Sequence, residues 1–129
     1  MHEPLIFISH NRVPADKLDE LRELALAFTE YAETVEPDAV TLQLFLDDTA
    51  RELVYVQVQP SAEAMDAHLQ VTHERIALAL ELVETTSITV CGTPGPLLTE
   101  ALRHNRDGGV AVTVLPLRLS GFLRPTVAA

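Results

Sequence analysis

Between Val40 and Gln59, apolar and polar residues alternate twice, on either side of a short polar turn. In the first run Val40, Leu42, Leu44 and Leu46 oppose Thr41, Gln43 and Phe45. In the second, Val54, Val56 and Val58 oppose Leu53, Tyr55, Gln57 and Gln59. A period of two belongs to strands. Asp47, Asp48 and Thr49 are turn formers, so the two runs read as an antiparallel hairpin. A half-buried hairpin needs a cover for its core face, and that need decides how the flanking segments are read.

The cover is available on both sides. Leu18, Leu21, Ala25, Phe28, Ala32 and Val35 recur in steps of three and four, forming one apolar stripe, and Pro37 stops the helix. Pro14 suits the first turn of that helix, where its missing N–H costs nothing. Ahead of it, Leu5 to Val13 reads as a strand. After the hairpin, Ser61 is a suitable N-cap for a helix from about Ala62 carrying Met65 and Leu69. A break is expected near Val71 and Thr72, before a second helical piece with Ile76, Leu80 and Val83. Ser87 to Cys91 is a short strand. Gly92 to Pro96 is a joint, Leu97 to His104 a short helix, and Val110 to Leu119 a last strand that Pro116 confines to an edge or a bulge.

The first six elements follow the split βαβ order. The predicted class is therefore α+β: a ferredoxin-like antiparallel sheet with a C-terminal helix and strand extension. At 129 residues the chain suits one domain, taken as residues 1–129 with a core at 5–92 and an extension at 93–129. Aromatics are 5% of the chain, so Leu, Val, Ala and Ile must build the core.

Nine basic residues against nineteen acidic ones give a formal charge of -10. No basic stripe is present to displace phosphate counterions, so neither nucleic acid nor an anionic membrane surface is an expected partner. Cys91 is the only cysteine, which excludes an internal disulfide and suits a reducing compartment. No basic stretch followed by a long apolar run opens the chain, and no run approaches the ~20 residues that span a bilayer. A cytoplasmic protein is expected.

The sheet face turned away from the helices is expected to hold Thr41, Gln43, Phe45, Tyr55, Gln57, Thr89 and Cys91, with Phe7, Ser9 and Asn11 on the first strand. None of these is charged. Uncharged polar groups mixed with aromatics suit a covered, semi-polar surface such as a ligand cavity. The simplest cover is a second copy of the same sheet, leaving either a cavity or a dry interface.

Three stretches carry a family resemblance: "SHNRVPADKLDELRELA" at the end of the first strand, the hairpin "VTLQLFLDDTARELVYVQV", and "SAEAMDAHLQVTHERI". Over roughly residues 5 to 92 the chain resembles the antibiotic biosynthesis monooxygenase-like domain of the dimeric α+β barrel superfamily. The resemblance implies a homodimer with facing sheets. It admits small monooxygenases that use O₂ without metal or flavin, haem-degrading enzymes and proteins without established activity. Asn11 matches a strand-one asparagine of the haem-degrading members. Those members also need a tryptophan on the second helix, where this chain has His68 instead, so haem degradation is not expected.

The candidate site follows. His68 or His73 would be a general base, since imidazole titrates near neutral pH. They lie five apart, roughly 140° around a helix, and would not chelate one ion together. No metal site and no cofactor are expected. Phe7, Asn11, Gln43, Phe45, Tyr55 and Gln57 would bind the substrate, with the phenylalanines as walls. His10, sharing a face with Ile6 and Ile8, reads as structural. Together with these residues, the resemblance implies a cofactor-independent monooxygenase acting on a small aromatic or quinol-like molecule in a cavity between helices and sheet. The alternative is a non-catalytic dimeric α+β barrel that binds a small apolar molecule or serves only as a scaffold.

Overall fold

The computed structural model describes residues 3–124. In chain order it contains β1 (Leu5–Arg12), a 3₁₀ turn (Ala15–Lys17), α1 (Leu18–Val35), β2 (Thr41–Asp47), β3 (Glu52–Gln59), α2 (Ala62–Leu80), β4 (Glu84–Cys91), α3 (Pro96–Asp107) and β5 (Ala111–Leu115). The sheet order is β2-β3-β1-β4-β5. The first four strands are antiparallel, and β5 runs parallel to β4. The α+β class, the split βαβ order and the added helix and strand are all present.

Several expected boundaries differ: β4 starts at Glu84 and not at Ser87, Val83 lies beyond the end of the second helix, and α3 runs to Asp107 and not to His104. The second helix does not break at Val71 and Thr72 but is continuous from Ala62 to Leu80. β-Branched residues weaken a helix, yet Thr72 is fully buried and its hydroxyl donates to the carbonyl of His68 at 2.7 Å. Tertiary burial outweighs the local preference. The last strand ends at Leu115, immediately before Pro116, and residues 116–124 leave the sheet with Leu117, Leu119 and Phe122 exposed.

The larger correction concerns the sheet faces. Register pairs Leu42, Leu44 and Leu46 of β2 with Gln57, Tyr55 and Leu53 of β3. Those β3 residues pair in turn with Phe7, Ser9 and Asn11 of β1. Paired residues share a face, and this is the face that meets the helices. Thr41, Gln43 and Phe45 lie on the opposite face with Val54, Val56, Val58, Ile6, Ile8 and His10, and Thr89 and Cys91 join them from β4. The single uncharged row expected from the sequence is thus two rows on two faces. Phe7, Ser9, Asn11, Tyr55 and Gln57 look toward the helices; Thr41, Gln43, Phe45, Thr89 and Cys91 look away.

Two apolar clusters anchor the helices. One joins Leu5, Met65, Ile88 and Val90 to Leu98 and Leu102 of α3, so the C-terminal extension is packed into the same layer as the rest. The other joins Val13, Leu21 and Leu53.

Candidate functional site

Between the helices and the sheet, bordered by members of both clusters, lies a cavity of about 190 Å³. Its sheet wall is Phe7, Ser9, Asn11, Tyr55 and Gln57; Leu21 and Phe28 of α1, Met65 and His68 of α2 and Leu102 of α3 line the helix side. Leu80, 54% exposed, is the lining residue most open to solvent and puts the mouth beside the end of α2.

The sheet end of the cavity is polar but internally satisfied. Asn11 Nδ2 donates to Ser9 Oγ at 3.1 Å and to the Leu53 carbonyl at 3.3 Å, while Thr85 Oγ1 donates to Asn11 Oδ1 at 2.7 Å. A β-bulge makes the last bond available. Pairing with β1 shifts between His10 and Asn11, so that His10 faces Ser87 while Asn11 faces Thr85. The extra residue, Thr86, returns its hydroxyl to the His10 carbonyl at 3.1 Å and turns Thr85 to the helix side. Bulges re-aim side chains in this way.

On α2, Met65, His68 and Thr72 form the buried stripe. His68 is 2% exposed. Its Nδ1 donates to both carboxylate oxygens of Glu36, each at 2.7 Å, and Gln59 Nε2 adds a long 3.5 Å contact to the same carboxylate. Nε2 of His68 lies 3.4 Å from Thr72 Oγ1, but that hydroxyl gives its proton to the His68 carbonyl. Thr72 therefore gives Nε2 no proton. A carboxylate that holds one imidazole nitrogen and leaves the other as a base is the arrangement used in general-base catalysis.

The aromatic rings link this pair to the sheet. Phe28 stands edge-on to His68 at 6.2 Å and to Tyr55 at 6.3 Å, and Phe7 stands edge-on to Tyr55 at 6.1 Å. The Tyr55 hydroxyl donates to Gln57 Oε1 at 2.7 Å. Burial first, and the Glu36 carboxylate second, push the Tyr55 phenol above its usual range, so it serves as a donor and not as an acid.

Of the residues singled out from the sequence, Phe7, Asn11, Tyr55, Gln57 and His68 are brought together. Gln43 and Phe45 are not. They project from the other face of β2, where Phe45 is 63% exposed. His73 is exposed in a separate surface pocket with Tyr31, Glu74 and Arg75, which shares no lining residue with the cavity. His10 is on the outer face, its Nδ1 2.9 Å from Glu52. Glu36 was missed by sequence reasoning. Its only signal is an acid at the C-terminus of a helix, where the dipole disfavours negative charge. Phe28 was read as core and is also cavity wall.

This arrangement is a ferredoxin-like sheet with a helix-side cavity, the antibiotic biosynthesis monooxygenase-like fold. MupZ from Pseudomonas fluorescens is similar at a TM-score of 0.73 and 18% identity, over 99% of this chain and 100% of that one, so the match takes in α3 and β5. Rv0793 from Mycobacterium tuberculosis is similar at 0.59 and 23% identity, over 73% of this chain and 98% of its own. A structure described as an antibiotic biosynthesis monooxygenase is similar at 0.56 and 20% identity, over 67% and 92%. No sequence-family model matches the chain, and no curated protein matches it. Among the described residues, no helix is long and apolar enough to cross a membrane.

Proposed function

We propose that the chain is a cofactor-independent monooxygenase for a small aromatic or quinol-like molecule. The observation that carries this reading is the buried Glu36–His68 pair set in the wall of a largely apolar cavity. The fold shared with proteins described as monooxygenases supports it. A cavity of about 150 Å³ holds benzene, so about 190 Å³ suits one substituted ring or a small bicycle and not a fused tricycle.

In this reading His68 Nε2 removes a proton from an activated CH₂ of the substrate, and Glu36 steadies the imidazolium. The carbanion supplies the electrons to O₂ and forms a C–O bond. His68 returns its proton to the peroxide. Loss of water then leaves a carbonyl, with one oxygen atom in the product and the other in water. The assay is O₂ uptake with product analysis on small aromatic and quinol-like molecules that carry an activated CH₂. Activity that falls at least a hundred-fold in His68→Ala, while His73→Ala behaves as wild type, is the expected result. Saturable binding without any product would select the non-catalytic alternative.

We also infer that the chain forms a homodimer through the outer sheet face. Ile6, Ile8, Val54, Val56 and Val58 give that face an apolar centre, and a two-fold pairing of like surfaces is the commonest way to cover one. Sedimentation of wild type and Val56→Lys tests it: a dimer that becomes a monomer is expected, and a wild-type monomer at micromolar concentration refutes it.

A further inference from the structure

Gln57 borders the cavity with 1% of its surface exposed, and the two halves of its amide have different fates. Oε1 accepts the Tyr55 hydroxyl at 2.7 Å. Nε2, equally buried, has no hydrogen-bond partner among the described residues. Buried polar atoms are almost always bonded, so an orphaned donor at a cavity wall asks for an acceptor. The neighbouring polar groups do not supply one: Ser9, Asn11 and Thr85 bond to one another, and Asn105 Nδ2 donates to the Ala101 carbonyl. The Tyr55 hydroxyl donates to Oε1, which leaves Nε2 as the free end of the amide. His68 belongs to the opposite, helical wall.

The geometry points to Gln57 Nε2 as the receptor for an oxygen acceptor on the ligand, so that the molecule taken here is a small aromatic ketone presenting its carbonyl to Gln57 and an adjacent acidic C–H to His68. This rests on the oxygenase reading for the role of His68. It adds a chemical class that the apolar walls alone do not select. When His68 removes the proton beside the carbonyl, charge moves onto the oxygen, and a fixed N–H at that oxygen stabilises it. A site with an unpaired donor also discriminates against a ligand of the same shape that lacks the acceptor.

Calorimetric titration of matched pairs tests this: 1-indanone against indane, and acetophenone against ethylbenzene. Wild type is expected to bind each ketone at least ten-fold tighter than its hydrocarbon, and Gln57→Leu to bring each pair within a factor of two. Equal affinities in wild type, or a ketone preference that survives in Gln57→Leu, overturn the assignment. Should Gln57→Leu not fold, Tyr55→Phe/Gln57→Leu removes both partners and takes its place. Oxygen uptake on the same proteins separates the two readings. A ketone preference that depends on Gln57 without turnover sustains this assignment and sinks the oxygenase. Turnover that persists without any ketone preference does the reverse.

Discussion

Gly95→Ala should loosen α3 for a steric reason that can be isolated. Gly95 is the N-cap of α3 at φ −79° and ψ −178°, extended backbone that alanine adopts without strain. On the unfolded side the change is worth about 0.4–1 kcal/mol in favour of alanine. A Cβ here would sit 2.5 Å from Asp66 Oδ2, 3.0 Å from Cγ and 3.2 Å from Oδ1. Those two oxygens accept the Leu97 and Leu98 backbone N–H groups at 3.2 and 3.1 Å, so a carboxylate on α2 caps α3. The aspartate side chain is short, and moving it away gives up both bonds. A lost cap costs about 0.5–2 kcal/mol and bonds to charged groups somewhat more. Roughly 2–3 kcal/mol lost against about 0.5 regained leaves a net destabilisation of about 2 kcal/mol.

At this chain length that corresponds to a fall of about 8 °C in Tm. Urea denaturation followed by circular dichroism, run as a double-mutant cycle with Asp66→Ala, gives the decisive number. Asp66→Ala alone should cost about 2 kcal/mol, and adding Gly95→Ala to it should cost nothing or restore a few tenths. An equal penalty for Gly95→Ala in both backgrounds would refute the reasoning. Because Leu98 and Leu102 line the cavity, the single variant should also weaken ketone binding.

Three further outcomes follow from the same geometry. Tyr55 has a raised pKa in the folded state, so above pH ~10 the unfolded chain sheds a proton that the folded chain keeps. Stability should then fall by about 1.4 kcal/mol per pH unit, and Tyr55→Phe, measured by urea titration across that range, should remove this slope. Glu36→Leu leaves the buried Nδ1–H of His68 without an acceptor and should cost about 1–3 kcal/mol, while Glu36→Gln, which keeps an acceptor, should cost clearly less in the same titration. Ala25→Leu places a side chain into the cavity from α1; calorimetry should find ketone binding abolished, with Tm unchanged or higher.

The α1 stripe was legible because the helix has one partner: Leu21, Phe28 and Ala32 are all buried. The strands had two, and that is where parity failed. Leu42, Leu44 and Leu46 of β2 and Val54, Val56 and Val58 of β3 are equally apolar rows, and each looks like a core face. What relates them is the turn. Asp47 pairs with Glu52, leaving four residues between them, so even-numbered positions of β2 meet odd-numbered positions of β3. That turn is held by Asp47 Oδ1, which accepts the Thr49 and Ala50 N–H groups at 3.0 and 2.9 Å, and by Arg51 at φ 57°. A non-glycine residue in the left-handed region is uncommon and composition does not announce it, so register was not readable. Glu36 was hidden differently. It is one acid among nineteen, and only the end of α1 meeting α2 pairs it with His68.

The observed parity has an energetic consequence. The helix face of β3 carries Tyr55, Gln57 and Gln59, whose burial gains little, while the better hydrophobes Val54, Val56 and Val58 point outward beside Ile6 and Ile8. Fully burying a side chain of that size is worth about 1.5–3 kcal/mol, so five left half-open on each copy represent several kcal/mol that a lone chain does not collect. In the proposed dimer, association supplies what the semi-polar cavity wall withholds, and folding and pairing become one equilibrium. The urea midpoint should then rise with protein concentration between 1 and 100 μM, by about 2.7 kcal/mol for a hundred-fold change if unfolding and dissociation are one step. In Val56→Lys the midpoint should be lower and independent of concentration. A wild-type midpoint that stays fixed across that range would mean the outer valines stabilise nothing, and the semi-polar cavity wall would have to be offset within the single chain.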